Sequence, residues 1–194
     1  MENKKPTIEK KSSYESLGEE FPNFEETAEY DELQSVILEK LRLAFWDKMQ
    51  DEIKEKNYEG LLAVLNEVKE RICNLIPNRK DLHKNISDTI DVKLIEQMLK
   101  HDAIDNNYIF NIIQFIITQL KELDSLKDEP FYEIWREQTN RRLMSDDPRL
   151  HVILPIFLRE TFHRIDKIAF EITAFTKSAL YKSIIERRSQ SSSD

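Results

Sequence analysis

The chain has 194 residues, of which 40% are hydrophobic and 34% charged, with only 2 glycines and 6 prolines. So few turn-forming residues argue against a β-sandwich of this length and favour long solvated helices around one core. The net charge of −8 argues against general nucleic-acid binding, which needs a strongly basic surface, so no specific nucleic-acid partner is expected.

The single cysteine, Cys73, indicates a reducing compartment, because one cysteine cannot form an internal disulfide. The first residues contain no apolar run and so predict no signal peptide, and no stretch is apolar enough to predict a transmembrane segment. A cytoplasmic location is therefore expected, and the nucleus is the alternative.

Residues 1–30 are polar, lack apolar periodicity and are predicted to be disordered. From Glu15 to Glu32 the chain carries eight acids and no base, and Phe21, Phe24 and Tyr30 lie among them. This stretch is either a solvating acidic tail or a linear motif that docks on a basic, apolar groove of a partner. The three aromatic residues are therefore candidate partner-binding residues.

Two helices are predicted next, over 31–56 and 58–76, and Pro77 ends the second because it disfavours helical geometry in the residue before it. The first helix carries an apolar stripe at helical spacing. Further apolar residues widen that face enough for two neighbours to pack on it: Val36, Leu43 and Trp46.

Three helices follow, over 79–90, 92–101 and 109–123. Asp91 and Asp105 are predicted N-caps of the second and third, because a carboxylate can accept from the free N–H groups of a first turn. Apolar residues cover nearly every face of 109–123, so this helix should be buried by its neighbours on most sides.

The sixth helix is predicted to begin near Asp128 and Pro130, since proline fits the first turn of a helix. The seventh is predicted to begin with Asp147 as N-cap and to run to about Arg187. Only Pro155 interrupts it, and it should either kink the helix or lie within its first turns.

These elements predict an all-α fold: a single-domain bundle of about six to eight helices with a long C-terminal helix. The predicted domain covers residues 31–188, between the tail of residues 1–30 and a second disordered tail at 189–194.

The end of the last helix carries an apolar seam of Ile165, Ile168, Ile172 and Phe175, at alternating three- and four-residue spacing. This spacing is typical of a two-helix contact. The seam either packs on the protein's own core or pairs with a partner, including a second copy of the chain, so these residues are candidate partner-binding residues.

A search for active-site patterns predicts no catalytic residues, no cofactor and no metal site. The chain has no glycine-rich phosphate loop and no ligand spacing for zinc. Asp166, between two isoleucines of the last helix, is either a partly buried carboxylate at a site or one partner of a helix-to-helix ion pair.

Residues 133–188 hold 11 bases and 8 acids, unlike residues 1–60, which hold 9 bases and 16 acids. A basic face near the C-terminus could bind anionic membrane or nucleic acid. Its candidate residues are Arg136, Arg141, Arg142, Arg149, Arg159 and Arg164.

Several motifs resemble, in order, those of the t-complex protein 11 family over about residues 36–172. They are Leu41–Arg42 with Phe45–Trp46–Asp47, the run from Leu61 to Pro77, Ile90–Asp91 with Leu94–Ile95, Ala103–Ile104–Asp105, Lys127–Asp128–Glu129, and Ile165–Ile172. The chain departs from the family pattern at His101–Asp102, where a glycine region is usual. It also has no clear counterpart of the arginine–proline pair expected after Ile172, and so resembles a short or reduced member.

The resemblance implies a non-enzymatic adaptor or signalling role that depends on binding a partner protein. Fungal members are associated with the cyclic-AMP-dependent kinase pathway and animal members with sperm maturation. The alternatives are the basic-face binder and, third, an enzyme whose site is not recognisable in the sequence.

Overall fold

The structure, a computed structural model, describes the backbone of residues 28–184 and the side chains of residues 32–184. The chain divides into two units, one up to Leu43 and one from Ala44 onward. Helices are the regular elements of the described part, which confirms the predicted all-α class with a long C-terminal helix. The two predicted tails lie almost wholly outside the described residues, and the predicted domain limits stay predictions.

The helices agree closely with those expected from apolar periodicity, and the first begins three residues before the predicted start. They are α1 (Ala28–Lys54), α2 (Glu59–Leu75), α3 (Lys80–Thr89), α4 (Val92–Lys100), α5 (Asn106–Leu123), α6 (Glu129–Leu143) and α7 (Leu150–Lys177), with a 3₁₀ turn at Leu126–Asp128 before α6.

Both predicted aspartate N-caps are confirmed. Asp91 Oδ1 accepts from the backbone N–H groups of Lys93 and Leu94, each at 3.1 Å, and so starts α4. Asp105 Oδ1 accepts from the N–H of Tyr108 at 2.6 Å and starts α5. Each cap supplies an acceptor for N–H groups that have no partner within the first turn of the helix.

The core of the unit that starts at Ala44 is built around α5, as predicted. This helix packs against α6 and α7, while α2 packs against α3, α4 and α7. The rings of Trp135 on α6 and Phe157 on α7 stack with centroids 5.2 Å apart. The buried residues of α5 lie on several sides of the helix: Ile109, Ile112, Ile113, Ile116, Ile117, Gln119 and Leu120.

Two details of the last helix were predicted wrongly. Asp147 does not cap α7, which begins at Leu150, because the chain first makes a tight turn in which the N–H of Leu150 bonds to the carbonyl oxygen of Pro148. The helix also ends early, at Lys177, where Ser178 adopts extended backbone angles. Ser178 Oγ then accepts from the N–H of Tyr181 at 3.2 Å, so this serine caps a further helical segment over 179–184.

Replacing Asp105 with alanine should lower the free energy of unfolding by about 1 kcal/mol, because the first turn of α5 loses its acceptor. Urea unfolding followed by circular dichroism measures this change. Asn107→Ala, at an exposed position in the same turn, is the matched control and should change stability by less than about 0.5 kcal/mol. Equal effects of the two substitutions would show that the cap does not stabilise the helix.

Candidate functional site

In the described part of the first unit, exposed apolar side chains form a row on α1. Six large aliphatic side chains are 44–61% exposed there, and they are called the α1 row: Leu33, Val36, Ile37, Leu38, Leu41 and Leu43. Leu33, Ile37 and Leu41 recur every four residues and so share the middle of one helix face. A solvated helix normally presents polar residues on its open side, so this row has the composition of a contact surface.

A polar strip runs along the opposite side of the same helix segment. It contains Ser35, Glu39 and Arg42, and the last two form an ion pair at 3.7 Å. The strip is narrow, and two further polar residues, Gln34 and Lys40, lie among the apolar residues on the rest of the circumference. The sequence showed this wide apolar face, but periodicity assigned it to internal packing, whereas the described residues leave each member about half exposed.

The predicted seam at the end of α7 is split between core and surface. Ile165 and Ile168 are buried, at 3% and 1% exposure, so the structure places them in the core and not on a surface a partner could reach. Ile172 and Phe175 are exposed at 39% and 47%, and Phe170 is exposed at 74%. The candidate partner-binding part of this helix is therefore restricted to its last turns.

Asp166 is not a buried carboxylate. Its side chain is 67% exposed and accepts from Arg71 of α2 at 3.0 Å. The same guanidinium pairs with Glu67 at 2.7 Å and lies over the ring of Phe162, 4.9 Å from its centroid. Asp166 is thus a partner in a helix-to-helix ion pair that joins α2 to α7.

The neighbouring Lys167 is the centre of a partly buried polar network that the sequence did not predict. Its Nζ lies 2.7 Å from Asp124, 2.9 Å from Asp128 and 3.2 Å from Glu171. Tyr132 donates its hydroxyl to Asp124 at 2.8 Å. These five residues, called the Lys167 cluster, join two segments of the family resemblance, around Asp128 and around Asp166.

The hydrogen bonds of the Lys167 cluster stabilise the charged forms of Lys167 and Asp128. Burial alone would lower the pKa of Lys167, but its hydrogen bonds to the three carboxylates outweigh burial and raise that pKa. Hydrogen bonds from Lys167 and Ser125 lower the pKa of Asp128. Burial, and then the bond to Asp124, raises the pKa of Tyr132. Each group has its partners within the cluster, as expected of a structural network.

Three of the six candidate arginines are paired with acidic side chains. Arg136 lies 3.7 Å from Glu133, Arg141 lies 2.7 Å from Glu137, and Arg164 lies 2.9 Å from Glu160. Arg164 also covers the ring of Phe131 at 3.4 Å.

The other three arginines, Arg142, Arg149 and Arg159, have no acid within 4.0 Å among the described residues. Arg142 and Arg159 line a small cavity between α6 and α7, and Arg149 lines a different one. The six residues therefore do not share one cavity or one set of partners.

The remaining candidates lie in the acidic stretch near the start of the chain. Phe21 and Phe24 are outside the described residues. Tyr30 lies within α1, but its side chain is outside the described part. The proposed role of this stretch as a docking motif stays a prediction.

Within residues 28–184, no group of three histidine, cysteine or acidic side chains is arranged to hold a metal ion. His83 instead donates from Nε2 to the carbonyl oxygens of Cys73 and Ile76, at 3.0 and 2.9 Å, and so satisfies the end of α2. No helix of the described chain has the length and apolar character needed to cross a membrane.

Comparison with known proteins identifies a protein family that matches this chain. The family model described as T-complex protein 11 matches residues 21–125, which is more than half of the chain. That match begins before the motifs recognised in the sequence and ends before Lys127–Asp128–Glu129 and the segment around Asp166, so the resemblance of those two segments stays a prediction. No solved structure matches the chain. The match over residues 21–125 shows that the chain belongs to the T-complex protein 11 family.

Proposed function

We propose that the protein is a non-enzymatic helical adaptor and that the α1 row is its docking surface for a partner protein. The observation that supports this is the exposure of six aliphatic side chains on one short helix segment. A wide apolar face on a helix is stabilised in water when another protein surface covers it.

The size of the row sets a limit on the affinity it can supply. Fully burying one such side chain contributes about 1.5–3 kcal/mol, and each is already about half buried, so six contribute roughly 5–9 kcal/mol. Association itself costs about 4–15 kcal/mol in lost translational and rotational freedom. The partner must therefore make contacts beyond the row.

We propose further that the partner belongs to cyclic-AMP-dependent kinase signalling, which the resemblance implies for fungal members. Family membership supports this assignment only at the level of the family. The family is not a known enzyme family, which favours the adaptor over an unrecognised catalyst. In the Lys167 cluster, the ammonium group is already paired with the three carboxylates around it.

The alternative function, binding of anionic membrane or nucleic acid through C-terminal arginines, has less support. Three of the six candidate arginines are already paired with acids, which reduces the charge they offer to a polyanion.

A comparative capture experiment tests the docking surface. The double substitution Ile37→Asp with Leu41→Asp places two charges in the middle of the row, whereas Ser35→Asp with Arg42→Asp places two on the polar strip as the matched control. The wild type and the control should capture a common partner. The row variant should bind that partner at least about tenfold more weakly, a loss of about 1.4 kcal/mol or more in binding free energy.

The melting temperature of the row variant should stay within about 2 °C of the wild type, because its changed residues are about half exposed in the free protein. Undiminished capture by the row variant would contradict the proposal. Unfolding of that variant would instead assign the row to internal packing.

A further inference from the structure

The unit that starts at Ala44 contains an apolar cavity of about 370 Å³ that the adaptor role does not use. Side chains of α2, α4, α5 and α7 and of the last residues of α1 form its walls. Ile109, Ile112 and Ile113 of α5 line it, as does the half-buried Leu154 of α7. A space of this size and lining is typical of a site for a small apolar ligand.

The volume determines how much hydrocarbon fits. An engineered apolar cavity of about 150 Å³ holds benzene, which corresponds to roughly 25 Å³ per carbon atom. A cavity of about 370 Å³ therefore has room for about fifteen carbons by the same ratio. One alkyl chain fits this volume, and two chains of comparable length do not.

The charged residues that line the cavity are mostly cationic. Lys54, Lys56 and Arg149 carry positive charge there, and Asp147 carries negative charge. Asp102 already binds Lys56 at 2.8 Å. Lys54 and Arg149 have no acid within 4.0 Å among the described residues. Both side chains are exposed, so they are available to an anionic group at the cavity entrance.

We propose that this cavity binds a free fatty acid of medium to long chain. The alkyl chain lies between α5 and α7, where burial removes it from water, and the carboxylate lies at the entrance with Lys54 and Arg149. A single chain is favoured by the volume, and a small anionic head by the two cations that no described acid neutralises. This binding is separate from the α1 row and does not depend on the partner.

Isothermal titration calorimetry of the full chain with myristate, below its micelle-forming concentration, tests the proposal. Myristate should bind one to one. Leu154→Trp fills the cavity with an indole ring and should weaken binding by at least about tenfold. Leu62→Trp makes the same change at a half-buried position of α2 that does not line the cavity, and it should bind as the wild type does.

A second pair of variants tests recognition of the carboxylate. Lys54→Glu with Arg149→Glu should weaken myristate binding by at least about tenfold and leave binding of tetradecanol, which has no charge, unchanged. Arg142→Glu with Arg159→Glu reverses two charges outside this cavity and serves as the control, with no expected change for either ligand.

Absence of myristate binding to the wild type would overturn the proposal, as would equal binding by Leu154→Trp and the wild type. Unchanged myristate binding by the Lys54 and Arg149 variant would overturn the assignment of an anionic head. Cosedimentation with phosphatidylcholine–phosphatidylserine vesicles distinguishes another source of acyl chains. If the protein is retained on vesicles but does not bind free myristate, the ligand is a membrane surface and the fatty-acid proposal is wrong.

Discussion

Lys167→Met is expected to lower the free energy of unfolding by about 3 kcal/mol, the lower end of the range measured when one partner of a buried ion pair is removed. The side chain of Asp124 is 0% exposed, and Lys167 holds it at 2.7 Å. Methionine keeps the length of the lysine stem but leaves this carboxylate without its ammonium group. The lower end applies because Lys167 itself is 24% exposed, which lets water compensate in part.

Urea unfolding followed by circular dichroism measures this effect, with Lys127→Met as the matched control. Lys127 is 71% exposed and lies 3.3 Å from Glu171, so its removal should cost less than about 1 kcal/mol. Adding Asp124→Asn to Lys167→Met should recover part of the lost free energy of unfolding, because the double variant no longer contains the buried negative charge. Equal effects of the two lysine substitutions would contradict a buried role for Lys167.

Ile117→Ala should destabilise the protein by about 2–5 kcal/mol, the range for truncating a fully buried aliphatic side chain. Ile117 lies in the middle of α5 and is 0% exposed. Its truncation removes methyl and methylene groups from close packing and leaves a void that the surrounding helices fill only in part.

Ile134→Ala on α6 is the same chemical change at a position that is 55% exposed, and it should alter stability by less than about 0.5 kcal/mol. The two variants are compared by the same urea unfolding. A small effect at Ile117 would show that α5 is not the centre of the core. A large effect at Ile134 would show that a partner or a second copy covers that residue in solution.

Local rules were sufficient to predict most of the fold. The apolar residues around α5 required burial on several sides, and Asp91 and Asp105 supply side-chain acceptors where their helices begin. These signals act within a few residues of each other, so the sequence displays them directly. The start of α7 was missed because the turn at Pro148 competes with Asp147 as a start signal, and its end was missed because Ser178 is a cap of the next segment.

The ion-pair interpretation of Asp166 is confirmed, but the polar network around Lys167 was not predicted, because its partners are far apart in the chain. Lys167 and Asp124 are 43 positions apart, and only the packing of α7 brings them together. Asp166 and Lys167 are adjacent and lie about 100° apart around the helix, so their side chains meet different neighbours. Sequence periodicity locates the apolar face of the helix but does not identify the partners of the polar residues beside that face.

The α1 row was visible as a pattern, but its exposure was not. Apolar periodicity alone does not distinguish a helix that packs on its own chain from one that packs on another protein. For the same reason the seam at the end of α7 was left open between two interpretations, and burial assigns Ile165 and Ile168 to the core.

Site-specific photo-crosslinking in cells tests the central claim, that a partner protein covers the α1 row, most directly. A photoreactive phenylalanine analogue replaces Ile37 in the middle of the row, and in a separate variant it replaces Glu39 on the polar strip of the same helix. The account predicts a discrete adduct between the chain and another protein from position 37, and little or none from position 39. No adduct at position 37, or the same adducts at both positions, would contradict it.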